Sequence, residues 1–325
     1  MIIYNVQSLK TIKDYGIGIP LLSQRAKRVK DALADHPVLG QQIDAWYYNG
    51  VMPEIEKEDL LQVHSESYIQ ELLGDNPHAI ISRAYELDDE QGDAGRYNAE
   101  QAKRPLPELV DKALANVAGT HQSSLLALEK GFSFFLGGGM HHAMTDQGRG
   151  FCLLNDIVIR ARKLRRASLA QKIWIIDVDA HRGDGTAELC LGDEHILTLS
   201  VHMAKGWPLD SSALDEQGNL KKCRYPGSVD VPIPVNAEPY YLKGLSHGLR
   251  LVEAMAKGDK PDLAIVVSGS DPYELDELPS SGDLKLSLEQ MLARDMFIYR
   301  FLYVLCIRER YPMGGGDVEH GWVDY

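Results

Sequence analysis

The feature that most constrains this chain is a set of four short apolar runs, each opening directly onto polar, ionisable residues. Phe132–Leu136 leads into Gly137-Gly-Gly-Met-His141-His142, and Ile173–Ile176 into Asp177-Val-Asp179-Ala-His181-Arg-Gly-Asp184. Ile196–Val201 ends at His202, and Leu263–Val267 leads into Ser268-Gly-Ser-Asp271. Continuous apolar runs of this length read as strands buried on both faces. Amphipathic periodicity over about 21–35, 57–73, 108–130, 155–169, 239–257 and 286–310 predicts helices around them. Strands alternating with helices predict a doubly wound α/β fold with a mostly parallel sheet. Ligands bind such sheets beyond the carboxyl ends of the strands. Four separate runs would therefore deliver their polar residues to one edge.

Nothing in the 325 residues suggests a second domain, a repeat or a low-complexity linker. Two polar stretches, Asp88–Gly95 and Asp210–Tyr225, read as surface loops inside one domain spanning residues 1–325. With 44% apolar and 25% charged residues the composition is that of a soluble globular protein. No run approaches the roughly 18 apolar residues of a membrane span. The first residues lack a basic segment followed by an apolar one, so a cytoplasmic location is expected. Cys152, Cys190, Cys223 and Cys306 are scattered, which predicts reduced, mostly buried thiols rather than disulfides or a structural zinc site. A net charge of −13 argues against nucleic acid as a partner. The basic stretch Arg160–Arg166 is expected to be a solvated helix face.

The chemistry follows from spacing. Residues two apart on an extended chain point the same way. Asp179 and His181 can thus converge on one ion, with Asp177 one step deeper and Asp271 supplying a third ligand from another strand. Two carboxylates and an imidazole with open positions suit Zn2+ or Fe2+ in a catalytic rather than a structural role. Beside them, one of His141 and His142 can take a proton from water and the other give one to a leaving group. Each imidazole needs a partner to fix its tautomer, and Asp177 and Asp184 are carboxylates within reach.

Together these residues resemble the zinc-dependent histone deacetylase family and its bacterial acetoin-utilisation and acetylpolyamine amidohydrolase relatives. The resemblance runs from Gly137-Gly-Gly-Met-His-His-Ala143 through Gly150-Phe-Cys-Leu-Leu-Asn-Asp156 and Ile176-Asp-Val-Asp-Ala-His-Arg-Gly-Asp-Gly185. It continues at Ser200-Val-His202 and Ser268-Gly-Ser-Asp-Pro-Tyr273. It implies a three-layer arginase/deacetylase-like fold with an eight-stranded, mostly parallel sheet. It makes Asp179, His181 and Asp271 the zinc ligands, and pairs His141 with Asp177 and His142 with Asp184, His142 being the general base. Phe151 and Trp207 would wall a substrate tunnel with Leu278 near its rim, and Gly150 and Gly315 are further substrate-binding candidates. Asp177 and Ser200 fall where the family holds a structural potassium ion. The dinuclear arginase branch is disfavoured, because position 183 is Gly and Asp271 is followed by Pro272-Tyr273.

The implied reaction is removal of an acetyl or other acyl group from a lysine side chain, an acetylpolyamine or another small acylated amine. Leu278 at the rim favours acetyl-lysine or an apolar acyl chain over a polyamine. One position departs from the family. Where the family carries a carbonyl-polarising Tyr after its last glycine-rich turn, this chain reads Gly314-Gly-Gly316-Asp317. A carboxylate there would repel a developing oxyanion, and losing one such donor costs about 10²–10³ in rate. A naturally weak enzyme, a donor supplied by His320, or a sequence shortened ahead of the glycines would each account for this. A catalytically silent acyl-lysine-binding protein is the rival reading.

Overall fold

The computed structural model describes residues 1–5, 7, 10–19, 25–88 and 95–307. Strands are β1 Ile2–Ile3, β2 Tyr47–Tyr48, β3 Phe134–Phe135, β4 Ile173–Asp177, β5 Ile196–Met203, β6 Val229–Ile233 and β7 Leu263–Val267. Helices in the first half are α1 Arg25–Asp35, α2 Ile43–Trp46, α3 Lys57–Leu60, α4 Glu66–Leu72, α5 His78–Tyr85 and α6 Glu108–Lys130. They continue as α7 Asp156–Arg166, α8 Asp184–Leu189, α9 Tyr241–Met255 and α10 Leu288–Ile307.

All the ladders are parallel. One sheet has the order β2-β1-β3 and the other β6-β5-β4-β7. The fold is the expected three-layer α/β arrangement, and β4 shows why. All five of its residues are buried, and they alternate between two cores as strand geometry requires. Ile173 and Ile175 pack with the residues of α4 to α7. Trp174 and Ile176 pack on the other side with Tyr241, Leu245 and Leu249 of α9 and Ile298 of α10. The resemblance implies one sheet of eight strands; among the described residues seven strands form two separate sheets, and the residues around Gly314 lie outside the described ones. The facing edges of β3 and β7 are not paired with each other.

Several local expectations shift. The helix predicted over 57–73 is interrupted between Leu60 and Glu66, where His64 turns inward and the Ser65 side chain caps α4 by accepting from the Tyr68 amide. Strand β6 reads Val-Asp-Val-Pro-Ile and has no apolar run, but as an edge strand it tolerates Pro232. The basic stretch on α7 is not a solvated face. Arg160 is 1% exposed, Lys163 pairs with the buried Asp59, and Arg165 lies 3.1 Å from Asp193. Cys152 and Cys190 are buried and free, whereas Cys223 is exposed. No helix among the described residues is long and apolar enough to cross a membrane.

Candidate active site

Strands β4 and β7 run side by side with Asp177 opposite Val267. The segments beyond their carboxyl ends therefore meet. The Val178 amide donates to the Val267 carbonyl at 3.0 Å, and the Ala180 amide to Asp271 Oδ1 at 3.1 Å. As a result Asp179, His181 and Asp271 bring one ligand atom each within 4.8 Å of one another. His181 Nδ1 faces both carboxylates, 3.1 Å from Asp179 Oδ1 and 2.7 Å from Asp271 Oδ2. Its other ring nitrogen lies 3.0 Å from Ser280 Oγ, an outer partner of the kind that orients a ligating imidazole. Donors that each stand about 2.1 Å from an ion must crowd together in this way, so the three residues fit one divalent metal.

A ligating imidazole must give up its proton, so a metal ion here competes with the proton on His181. Burial disfavours the charged form of His181, yet hydrogen bonds to Asp179 and Asp271 raise its pKa to about 10. Burial pushes Asp271 upward and the neighbouring Asp179 charge adds to it. A cation between the two carboxylates relieves that repulsion.

The two histidines face this cluster. His141 Nδ1 lies 2.6 Å from Asp177 Oδ2, and His142 Nδ1 lies 2.7 Å from Asp184 Oδ1. All four side chains are buried. A carboxylate at Nδ1 fixes the proton there and turns Nε2 toward the site. The two imidazoles differ in the direction of their shifts. Burial lowers the proton affinity of His141, but Asp177 and Asp179 outweigh it and raise its pKa to about 9. His142 is held well below the ordinary histidine value by burial and by the charges of His141, His181 and Arg149. The two members of the pair are thus shifted in opposite directions.

The turn that carries the pair is anchored from behind. The buried Asp156 carboxylate accepts from the amides of Gly139 at 3.1 Å and Met140 at 2.7 Å, and from Thr120 Oγ1. The triple glycine thus lets the backbone approach Asp156. That residue lay inside a matched segment of the sequence but carried no expected role. Arg149 is a second residue the sequence did not single out. Its guanidinium lies 2.9 Å from Asp184 Oδ2 and 5.1 Å from the centre of the Trp207 ring.

Gly150, Phe151, Trp207 and Leu278 line one cavity of about 1860 Å³ together with His141, His142, Asp179, His181 and Asp271. Trp207 stands edge-on to His142, with ring centres 4.4 Å apart. No side chain fits at Gly150, since a Cβ there would lie 2.6 Å from His142 Cδ2 and closer still to Trp207. The cavity continues beneath the site between β3 and β7, so its volume exceeds that of the site alone. Asp177 and Ser200 stand opposite one another in the β4–β5 register. His202 is not brought to the site. It is fully buried beside Asp230, which pairs with Arg182. Gly315, Asp317 and His320 lie outside the described residues.

Comparison with known proteins agrees with this geometry. The acetoin utilization protein AcuC of Staphylococcus aureus (strain COL) is 32% identical over 235 residues, 70% of this chain and 56% of that protein. Histone deacetylase 2 of Arabidopsis thaliana is 30% identical over 256 residues, 76% of this chain and 58% of that protein. The chain therefore spans less than two thirds of the length of these relatives. An HDAC homolog crystallised in complex with SAHA superposes with a TM-score of 0.64 over 93% of this chain and 76% of that one, at 22% identity. The HDA15 HD domain superposes with a TM-score of 0.63 over 93% of this chain and 79% of that one, at 18% identity. A profile of the histone deacetylase domain matches residues 20–317, and on that match this chain belongs to the histone deacetylase family.

Proposed function

We propose that this protein is a metal-dependent amidohydrolase that removes acetyl or other acyl groups from lysine side chains or small amines. The observation that carries the reading is one constellation. Two histidines, each with its own carboxylate at 2.6 and 2.7 Å, face a cluster of two aspartates and one histidine. Asp179, His181 and Asp271 hold the metal, which is Zn2+ or Fe2+. When bound, the ion polarises the scissile carbonyl and makes water a better nucleophile.

The protein groups supply positioning and proton transfer. His142, fixed by Asp184 and kept neutral by its surroundings, takes a proton at Nε2 from the attacking water. His141, held by Asp177, stabilises developing negative charge and can return a proton to the departing amine. Acetate and the free amine leave. Phe151 and Trp207 wall the channel that admits the acyl group, with Gly150 between them and Leu278 at the rim. Asp177 and Ser200 serve a structural potassium ion. The substrates are acetylated lysine peptides, acetylpolyamines or other small acylated amines.

Asp317, in place of the family's Tyr, supports a second reading as a weak or silent acyl-lysine binder. Turnover of a fluorogenic acetyl-lysine peptide separates the two. The hydrolase reading expects zinc-dependent turnover that Asp179→Ala and His142→Ala abolish, by about 10³-fold or more. Undiminished activity in either variant sinks the mechanism. No turnover with retained binding of a hydroxamate favours the binder.

A further inference from the structure

Arg294 lies on the seventh residue of α10 and is 1% exposed. A guanidinium is expensive to bury unless its donors are satisfied. Here Nη1 donates to two main-chain carbonyls, that of Val178 at 3.1 Å and that of Gly269 at 2.9 Å. Nε donates to Asp295 Oδ1 at 2.8 Å, so the charge is balanced from the surface side. Val178 immediately precedes Asp179, and Gly269 lies two residues before Asp271. One nitrogen therefore ties together the two strand ends that carry the carboxylates of the metal cluster.

The contact on the other side is equally close. A Cβ at Gly269 would lie 2.6 Å from Asp179 Cα. Nothing but glycine lets the two backbones meet here, and their tips are held by the Ala180 amide on Asp271 Oδ1 at 3.1 Å. Below the carboxylates Arg294 bridges the two segments beside the Val178 amide bond to the Val267 carbonyl at 3.0 Å, and above them the Ala180 amide bridges them again. Both Nη1 acceptors are main-chain carbonyls, one residue before Asp179 and two residues before Asp271.

We infer that Arg294 is a positioning residue that fixes the spacing of Asp179 and Asp271 and so tunes metal affinity. The inference rests on the reading of these residues as metal ligands. Outer partners of metal ligands typically change affinity by about 10–100-fold when removed. A lysine keeps the charge but lacks the rigid fork that reaches two fixed acceptors.

The test is the zinc dissociation constant of the metal-stripped protein, measured by competition with a chromogenic chelator well below the unfolding midpoint. Arg294→Met is expected to weaken zinc binding about 10–100-fold, with Arg294→Lys between it and the wild type. A folded Arg294→Met that binds zinc as tightly as the wild type overturns the inference. If Arg294→Met does not fold, Arg294→Lys with wild-type affinity does the same. Loss of fold in both variants would assign Arg294 to folding and not to the metal centre. A wild-type protein that binds no zinc refutes the metal reading itself, which separates the two failures.

Discussion

Acid stability offers a prediction whose magnitude can be worked from one side chain. His64 is 2% exposed and satisfied on both nitrogens. Its Nδ1 lies 2.7 Å from the Met144 carbonyl and must donate, while Nε2 accepts from the Asn155 amide at 3.1 Å. A second proton on Nε2 would face another donor in a dry site. Burial is the main cause that holds its pKa down, from 6.5 to about 4. Between those values the unfolded chain binds a proton that the folded chain does not. The sign is therefore that folding stability falls as pH drops from about 6.5 to about 4 and is fully present above that window. At about 1.36 kcal/mol per unit the total is about 3 kcal/mol. Asparagine can keep the donor to Met144 but cannot titrate. His64→Asn should be less stable than wild type at pH 7, yet lose about 3 kcal/mol less on acidification to pH 4. The assay is urea unfolding followed by far-ultraviolet circular dichroism at half-unit pH steps. Parallel stability curves for the two proteins would rule out His64 as the source of the acid loss.

Two further substitutions probe the supports of the site. Gly269→Ala would press its new methyl to 2.6 Å from Asp179 Cα, so it should cost about 1–3 kcal/mol of stability by overpacking and weaken zinc binding about 10-fold or more. Denaturant unfolding and chelator competition check the two effects. Asp156→Asn replaces an acceptor by a donor facing the Gly139 and Met140 amides. It should cost about 1.5–3 kcal/mol and slow turnover by displacing His141, as read by unfolding and by kcat on the acetyl-lysine peptide.

The elements that touch the site were the most legible in the sequence. The apolar run Leu263–Val267 is strand β7 without adjustment, and Ile173–Ile176 is extended only by Asp177. The candidate ligands were readable because an alternating Asp-x-His on a strand end is a local pattern. What was not readable depends on contacts far apart in the chain. Arg294 reaches Val178 across 116 residues, and Arg149 meets Asp184 across a fold that no local periodicity reports. Strands β1 and β2 are two residues long and exist only because β1 is paired on both sides. The interruption before Ser65 is likewise set by His64 reaching Met144, 80 positions away.

Asp179, His181 and Asp271 are proposed to form a one-metal hydrolytic centre. Restoring zinc to the chelator-stripped protein while following acetyl-lysine peptide turnover tests it most directly. The stripped protein should show no turnover, and activity should rise with added zinc to a plateau at about one equivalent per chain, as expected for one open catalytic site. Full turnover in the stripped protein, or a plateau reached only at two equivalents, would contradict a one-metal centre.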